Sequence, residues 1–172
     1  MIKLLGSIII IISATLMGII YSQKFSIKVN QIRDIEFLLN MLENEITFTS
    51  TPLVQAFINI SNKGCNSVSK LFLLMSEELK SKKCNSVYDA FNLSYDSVKE
   101  ELYFDNDELQ VIGSFMKSLG NTDTEGQKKN FNITIKKLES FEKKAEDMCT
   151  KNAKLYRYLG VCAGTLIVII LI

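Results

Sequence analysis

The chain has 172 residues, enough for one compact domain with short appendages, and its formal net charge of +1 provides no global field to draw nucleic acid or anionic substrates. It lacks histidine, the commonest general base and metal ligand, and it has neither a G-x-x-x-x-G-K-[ST] phosphate loop nor a C-x-x-C pair. No catalytic, cofactor-binding or metal-ligating set is legible, and the four cysteines (65, 84, 149 and 162) read as reduced and structural, with Cys162 a small buried hydrophobe.

The first element is apolar. Leu4–Tyr21 is a run of 18 uncharged residues, which as a helix rises about 27 Å, close to the thickness of a bilayer core. A cleaved signal peptide is the rival reading, but the run exceeds a usual h-region and no A-x-A-like site follows it. Residues 1–22 are therefore expected to form an N-terminal transmembrane segment, followed by a helical domain over 23–154.

The first helix continues from that segment until Pro52, with Ile32, Ile35, Leu39, Leu42 and Ile46 forming one apolar face at three- and four-residue steps. Thr51 as N-cap and Pro52 in the first turn open a second helix carrying Leu53, Ala56, Phe57 and Ile60, which Gly64 closes. A third bears Val68, Leu71, Phe72, Met75 and Leu79. Ser86 with Asp89 opens a fourth, bearing Val87, Ala90, Phe91 and Val98. Asp105 with Glu108 opens a fifth, bearing Leu109, Ile112, Phe115 and Leu119 and ending at Gly120. Thr122 with Glu125 begins the last, whose apolar residues include Phe131, Ile135, Leu138, Ala145 and Met148.

That helix can run unbroken into a second uncharged segment, Tyr158–Ile172, of 15 residues. It reaches span length if Leu155 and Tyr156 join it and Arg157 snorkels outward, giving a C-terminal transmembrane segment over 155–172. Lys24, Lys28 and Arg33 follow the first span, and Lys151, Lys154 and Arg157 precede the second, so the positive-inside rule puts the central domain in the cytoplasm and both termini on the opposite side. Ala14-x-x-x-Gly18 and Gly160-x-x-x-Gly164 are small-x-x-x-small motifs, and with Tyr21 and Tyr156 at equal depth they fall level. An intramolecular hairpin is the preferred reading, a homodimer contact the alternative. The fold class is thus all-α: a bundle of about six helices with two long antiparallel terminal helices, each continuing into a transmembrane span.

Charge on the last helix is patterned. Lys129, Lys136 and Lys143 form one heptad row, and Lys137, Lys144 and Lys151 its neighbour. Glu36 and Glu43 are seven apart on the first helix, at levels flanked by these lysines, so weak interhelical pairs on a solvated face are expected. Docking of an acidic partner surface is the functional alternative.

The series Lys3-Leu-Leu-Gly6, Gln31-Ile-Arg33, Leu42-Glu43, Glu45-Ile46, Thr51-Pro-Leu53 and Ala56 resembles stage III sporulation protein AB. The likeness continues through Ser118-Leu-Gly120, Asp123, Gln127 and Asn130 to Leu159-Gly160, and so covers nearly the whole chain. The resemblance implies a subunit of the channel, or feeding-tube, complex of endospore formers, in the mother-cell membrane facing the forespore (the outer forespore membrane). It also implies a cytoplasmic domain similar to the F-type platform proteins of type II secretion and type IV pilus systems, and no catalytic residues. The implied partners are a secretion-type sporulation ATPase, stage III sporulation protein AA, and other membrane subunits of the complex. One such domain with two spans departs from the platform proteins, so rotor-like mechanisms do not carry over.

On the matching motifs, Arg33, Glu43 and Glu45 are candidate partner contacts, followed by Gln127 and Asn130; Lys136 and Lys143 join them from the basic rows. The expected function is a non-enzymatic membrane platform or scaffold, with no cofactor, no nucleic acid, and the lipid bilayer as a further partner. A regulatory or sensory membrane protein is the alternative and predicts a concave apolar pocket. A membrane-bound enzyme is disfavoured by the missing motifs.

Overall fold

The structure, a computed structural model, describes residues 2–171 apart from 65, 82, 83, 85, 121 and 122; within 1–22 and 153–172 it describes side chains only at 13, 16, 17, 20, 155, 158 and 162. All regular structure among the described residues is helical, in the order α1 (Ile2–Thr47), α2 (Leu53–Ser61), α3 (Ser67–Lys80), α4 (Val87–Val98), α5 (Asn106–Ser118) and α6 (Thr124–Leu171). The chain divides into two compact units, one of Met1–Val29 with Lys143–Ile172, the other of Asn30–Glu142. Among the described residues no helix is long and apolar enough to cross a membrane, and most side chains of the two expected spans lie outside those residues.

Within Asn30–Glu142, each helix turns its apolar stripe inward. Ile32, Ile35, Leu38, Leu39 and Leu42 of α1 are essentially fully buried, as are Phe57, Phe72, Ile112 and Phe131 from other helices. Burial of each such side chain contributes about 1.5–3 kcal/mol, the main drive to assemble the bundle. Phe57 meets Phe72 with ring centroids 5.7 Å apart, joining α2 to α3, and Phe115 meets the edge of Phe131 at 4.8 Å, joining α5 to α6. Met148, read as part of the apolar face, is instead 44% exposed, and Cys162 is exposed rather than buried.

The caps agree with the sequence where the signal is strictly local. The Ser86 hydroxyl accepts from the Asp89 N–H at 3.1 Å, and Asp105 and Glu108 form a reciprocal capping box at the start of α5. Gly120, with φ of +83°, follows α5 in the left-handed conformation glycine favours. Thr51 does not cap α2: Pro52 occupies the cap position, and the Thr51 hydroxyl donates to the Glu45 carboxylate at 2.8 Å. Thr122 lies outside the described residues, and at the start of α6 it is Asp123 Oδ1 that accepts from the Gly126 N–H at 3.1 Å.

Gly64 is also not the left-handed stop expected of it. α2 ends at Ser61 with Asn62 as a right-handed cap, and Gly64 lies beyond, where a Cβ would come 2.1 Å from Ser69 Oγ and 3.3 Å from Ser69 Cβ. Ser69 is buried and its hydroxyl is bonded to the Asn66 side chain that caps α3, so it has little room to yield. Gly64→Ala is expected to cost about 1–2 kcal/mol, as overpacking does. Adding Ser69→Ala should recover part of the loss, measured as the shift in urea midpoint.

Candidate partner-contact surface

The candidate contact residues fall into two groups once their partners are known. Arg33 Nε on α1 donates to a Glu142 carboxylate oxygen on α6, an ion pair within the domain. Glu45 is engaged in the same way: its Oε2 accepts from Thr51 Oγ1 at 2.8 Å and from Asn59 Nδ2 at 3.1 Å, tying the α1–α2 turn to α2. Gln127 is half-buried in the first turn of α6, and Asn130 lines a groove between α5 and α6. Glu43 is half-buried, Lys136 and Lys143 are exposed, and none of the three makes an ion pair with another described residue. Ala14, Gly18, Gly160 and Gly164, expected to pack the spans together, lie outside the residues whose side chains are described.

The expected pairing of Glu36 with lysines is overturned, although the level is right. Glu36 faces Glu139 and Glu142 rather than lysine. The cause is rotational phase: Phe131, Thr134 and Leu138 form the buried row of α6, Glu142 lies one turn beyond Leu138 beside that row, and Lys136 and Lys137 point outward. Burial, then the two neighbouring carboxylates, push the Glu36 carboxyl up to about 7, against a smaller opposing pull from Arg33. Its Oε1 is buried without a hydrogen-bond partner.

A carboxyl raised in the folded state is protonated there while the unfolded chain has already ionised. Its effect is therefore nil below pH about 4.5, and stability is lost as pH rises from there through about 7. Because Glu36 is partly exposed, screening reduces the penalty to on the order of 1 kcal/mol. Glu36→Gln should raise Tm by about 2–4 °C at pH 8 and leave it unchanged at pH 4.5. Equal shifts at both pH values would show that the carboxylate is not the cause.

Gln31 was part of a family motif in the sequence, yet nothing there pointed to its role. It is 6% exposed; its Nε2 donates to the Glu101 carbonyl at 2.7 Å and its Oε1 accepts from the Tyr103 N–H at 2.8 Å. One side chain of α1 thus bonds two backbone groups of the α4–α5 connection. Beside it, Lys70 and Ser67 bond the Glu101 carboxylate at 2.6 and 3.1 Å and hold it below the usual carboxylate range.

Open grooves lie on this unit among the described residues. One of about 520 Å³ runs past Asn62, Gly64, Ser67 and Lys70 to Glu101. One of about 420 Å³ separates α5 from α6, and one of about 400 Å³ separates α4 from α5. Their linings mix small polar and apolar side chains with charged ones, among them Lys70 and Glu101 in the first, Lys137 in the second and Lys117 in the third.

Six helices, two of them long and terminal, with open grooves between shorter ones, define an all-helical protein class. The profile of the stage III sporulation protein AB family matches residues 3–172, and the chain belongs to that family. Stage III sporulation protein AB of Bacillus subtilis (strain 168) is 32% identical over 171 residues, 99% of each chain. A solved structure of a stage III sporulation protein AB superimposes with a TM-score of 0.66 at 30% identity, covering 72% of this chain and 96% of that one. The family is named for a stage of sporulation and not for a reaction.

Proposed function

We propose that the protein is a membrane platform subunit, without enzymatic activity of its own, of the channel that links mother cell and forespore. The observation that carries this reading is the build of α1 and α6. Each is one continuous helix, Ile2–Thr47 and Thr124–Leu171, and each contains an uncharged terminal run. Large apolar side chains along these runs are exposed: Leu16 by 53%, Met17 by 73%, Ile20 by 59% and Tyr158 by 71%. Contiguous apolar exposure of this kind is costly in water and is relieved by lipid. In this reading the two runs cross the outer forespore membrane, and the charges beside them keep the Asn30–Glu142 unit in the mother-cell cytoplasm.

There the domain docks the secretion-type sporulation ATPase, stage III sporulation protein AA, and the spans hold it among the other membrane subunits. Glu43, Lys136 and Lys143, which have no ion-pair partner among the described residues, are the candidate contacts left for outside partners. Two measurements test the reading. A reporter active only outside the cytoplasm should be silent when inserted after Thr51, and activity there would overturn the topology. Titration of the ATPase onto the full-length chain in nanodiscs should give binding that weakens with salt. No binding at tens of micromolar, a level at which docking of this kind should register, would remove the ATPase from the proposal.

A further inference from the structure

Two outward helix faces of the Asn30–Glu142 unit follow one plan with opposite charge. On α4, Leu93 is 52% exposed, with Asp89 one turn before it and Asp96 one turn after. At 100° per residue these positions form one narrow stripe, and all are exposed. On α6, Ile133 is 44% exposed, with Lys129 one turn before it and Lys136 and Lys137 one turn after, all exposed. Both stripes place a charge four residues before and three residues after the apolar residue, and α6 adds Lys137 beside Lys136.

Neither stripe is neutralised within the domain. Asp89, Lys129, Lys136 and Lys137 make no ion pair with another described residue, and Asp96 has only a loose solvent-exposed pair with Lys99 at 3.8 Å. The grooves place α5 between α4 and α6, so one copy does not bring its own two stripes together. Ile133 and Lys137 also form one wall of the α5–α6 groove, where Ser114, Ser118 and Thr134 keep the lining small enough for a helix to approach closely.

We propose that this groove receives a second copy of the chain: α4 of one copy lies along the α5–α6 groove of the next, with Leu93 against Ile133 and Asp89 and Asp96 against Lys129, Lys136 and Lys137. The two patches are different surfaces, so the association is head-to-tail; it continues from copy to copy and closes into a ring if the rotation between copies permits. The apolar pair supplies area, and the charges set register and direction. Lys136, one of the residues left for an outside partner, is assigned to this contact. The inference concerns copies of this chain alone and does not depend on the ATPase.

Sedimentation velocity of the full-length chain in an uncharged detergent tests it. The wild-type chain should self-associate at low salt and dissociate as salt rises. Asp89→Lys with Asp96→Lys, and separately Lys136→Glu with Lys137→Glu, should each weaken association about tenfold or more, because like charges then face each other. A chain carrying all four substitutions should regain association, since the stripes are complementary again with their signs exchanged. All four sites are exposed, and far-UV circular dichroism should show the same helix content in every variant. The proposal is overturned by a wild-type chain that stays monomeric at about 100 µM in low salt. It is equally overturned if the reversed variants associate like wild type, as they would through membrane-segment contacts, or if the four-fold variant fails to recover.

Discussion

Replacing Phe131 with alanine is expected to lower the stability of the domain by about 3–5 kcal/mol, the range for truncating a fully buried aromatic side chain. Phe131 has no exposed surface, lies on the buried row of α6, and packs the edge of Phe115 at a centroid distance of 4.8 Å. Truncation removes its transfer free energy and leaves a cavity between two long-range partners that cannot close without moving α5 against α6. Domains of this size have total stabilities of about 5–15 kcal/mol, so the loss is a large share of the whole. Thermal unfolding of the full-length chain, followed by circular dichroism, should show Tm lower by about 6–20 °C. Asn132→Ala, one position along and exposed, should change stability by less than about 0.5 kcal/mol and serves as the control. Similar small shifts in both variants would mean that Phe131 is not a core residue.

The second large effect is expected at Gln31. Gln31→Leu keeps nearly the same volume, so the change is almost purely one of hydrogen bonding. The Glu101 carbonyl and the Tyr103 N–H would lose the partners that now lie 2.7 and 2.8 Å away, in a region of the fold where Gln31 itself is 6% exposed. Each backbone group left unsatisfied costs about 1–3 kcal/mol, giving about 2–4 kcal/mol in all if water reaches neither fully. The urea midpoint should fall with an unchanged slope. Amide exchange should separate this from a general loss of stability: the Tyr103 amide should exchange much faster, whereas amides in the middle of α3 change only with the global shift. Unchanged protection at Tyr103 would show that its N–H has another partner.

These two sites mark the boundary between what was legible in the chain and what was not. Phe131 could be read from periodicity alone, since its spacing to Leu138 and Ala145 repeats every seven residues. Gln31 could not, because its partners are backbone groups about 70 residues away, and backbone groups carry no sequence signature. The contact candidates divide in the same way. Glu45 looked like a surface carboxylate flanking an apolar face, but the Thr51 hydroxyl and the Asn59 amide occupy it. Arg33 likewise finds an internal partner in Glu142. Lys136 and Lys143 kept the exposure that their heptad rows implied.

The sequence by itself determined the features that depend on a few neighbouring residues: the six helices, the Ser86 and Asp105–Glu108 caps, the glycine turn at Gly120, the core-facing stripes and the family. Caps and periodicities arise within one or two turns of a helix, where covalent geometry leaves few alternatives. Only the tertiary structure decided which charged faces meet. It turned Glu36 toward two carboxylates instead of lysines, moved the cap of α2 from Thr51 to Pro52, and gave Gly64 its close approach to Ser69. Such contacts depend on the rotation of each helix about its own axis and on its depth of packing. Both are set by side chains from distant segments settling together, so no local stretch of chain encodes them.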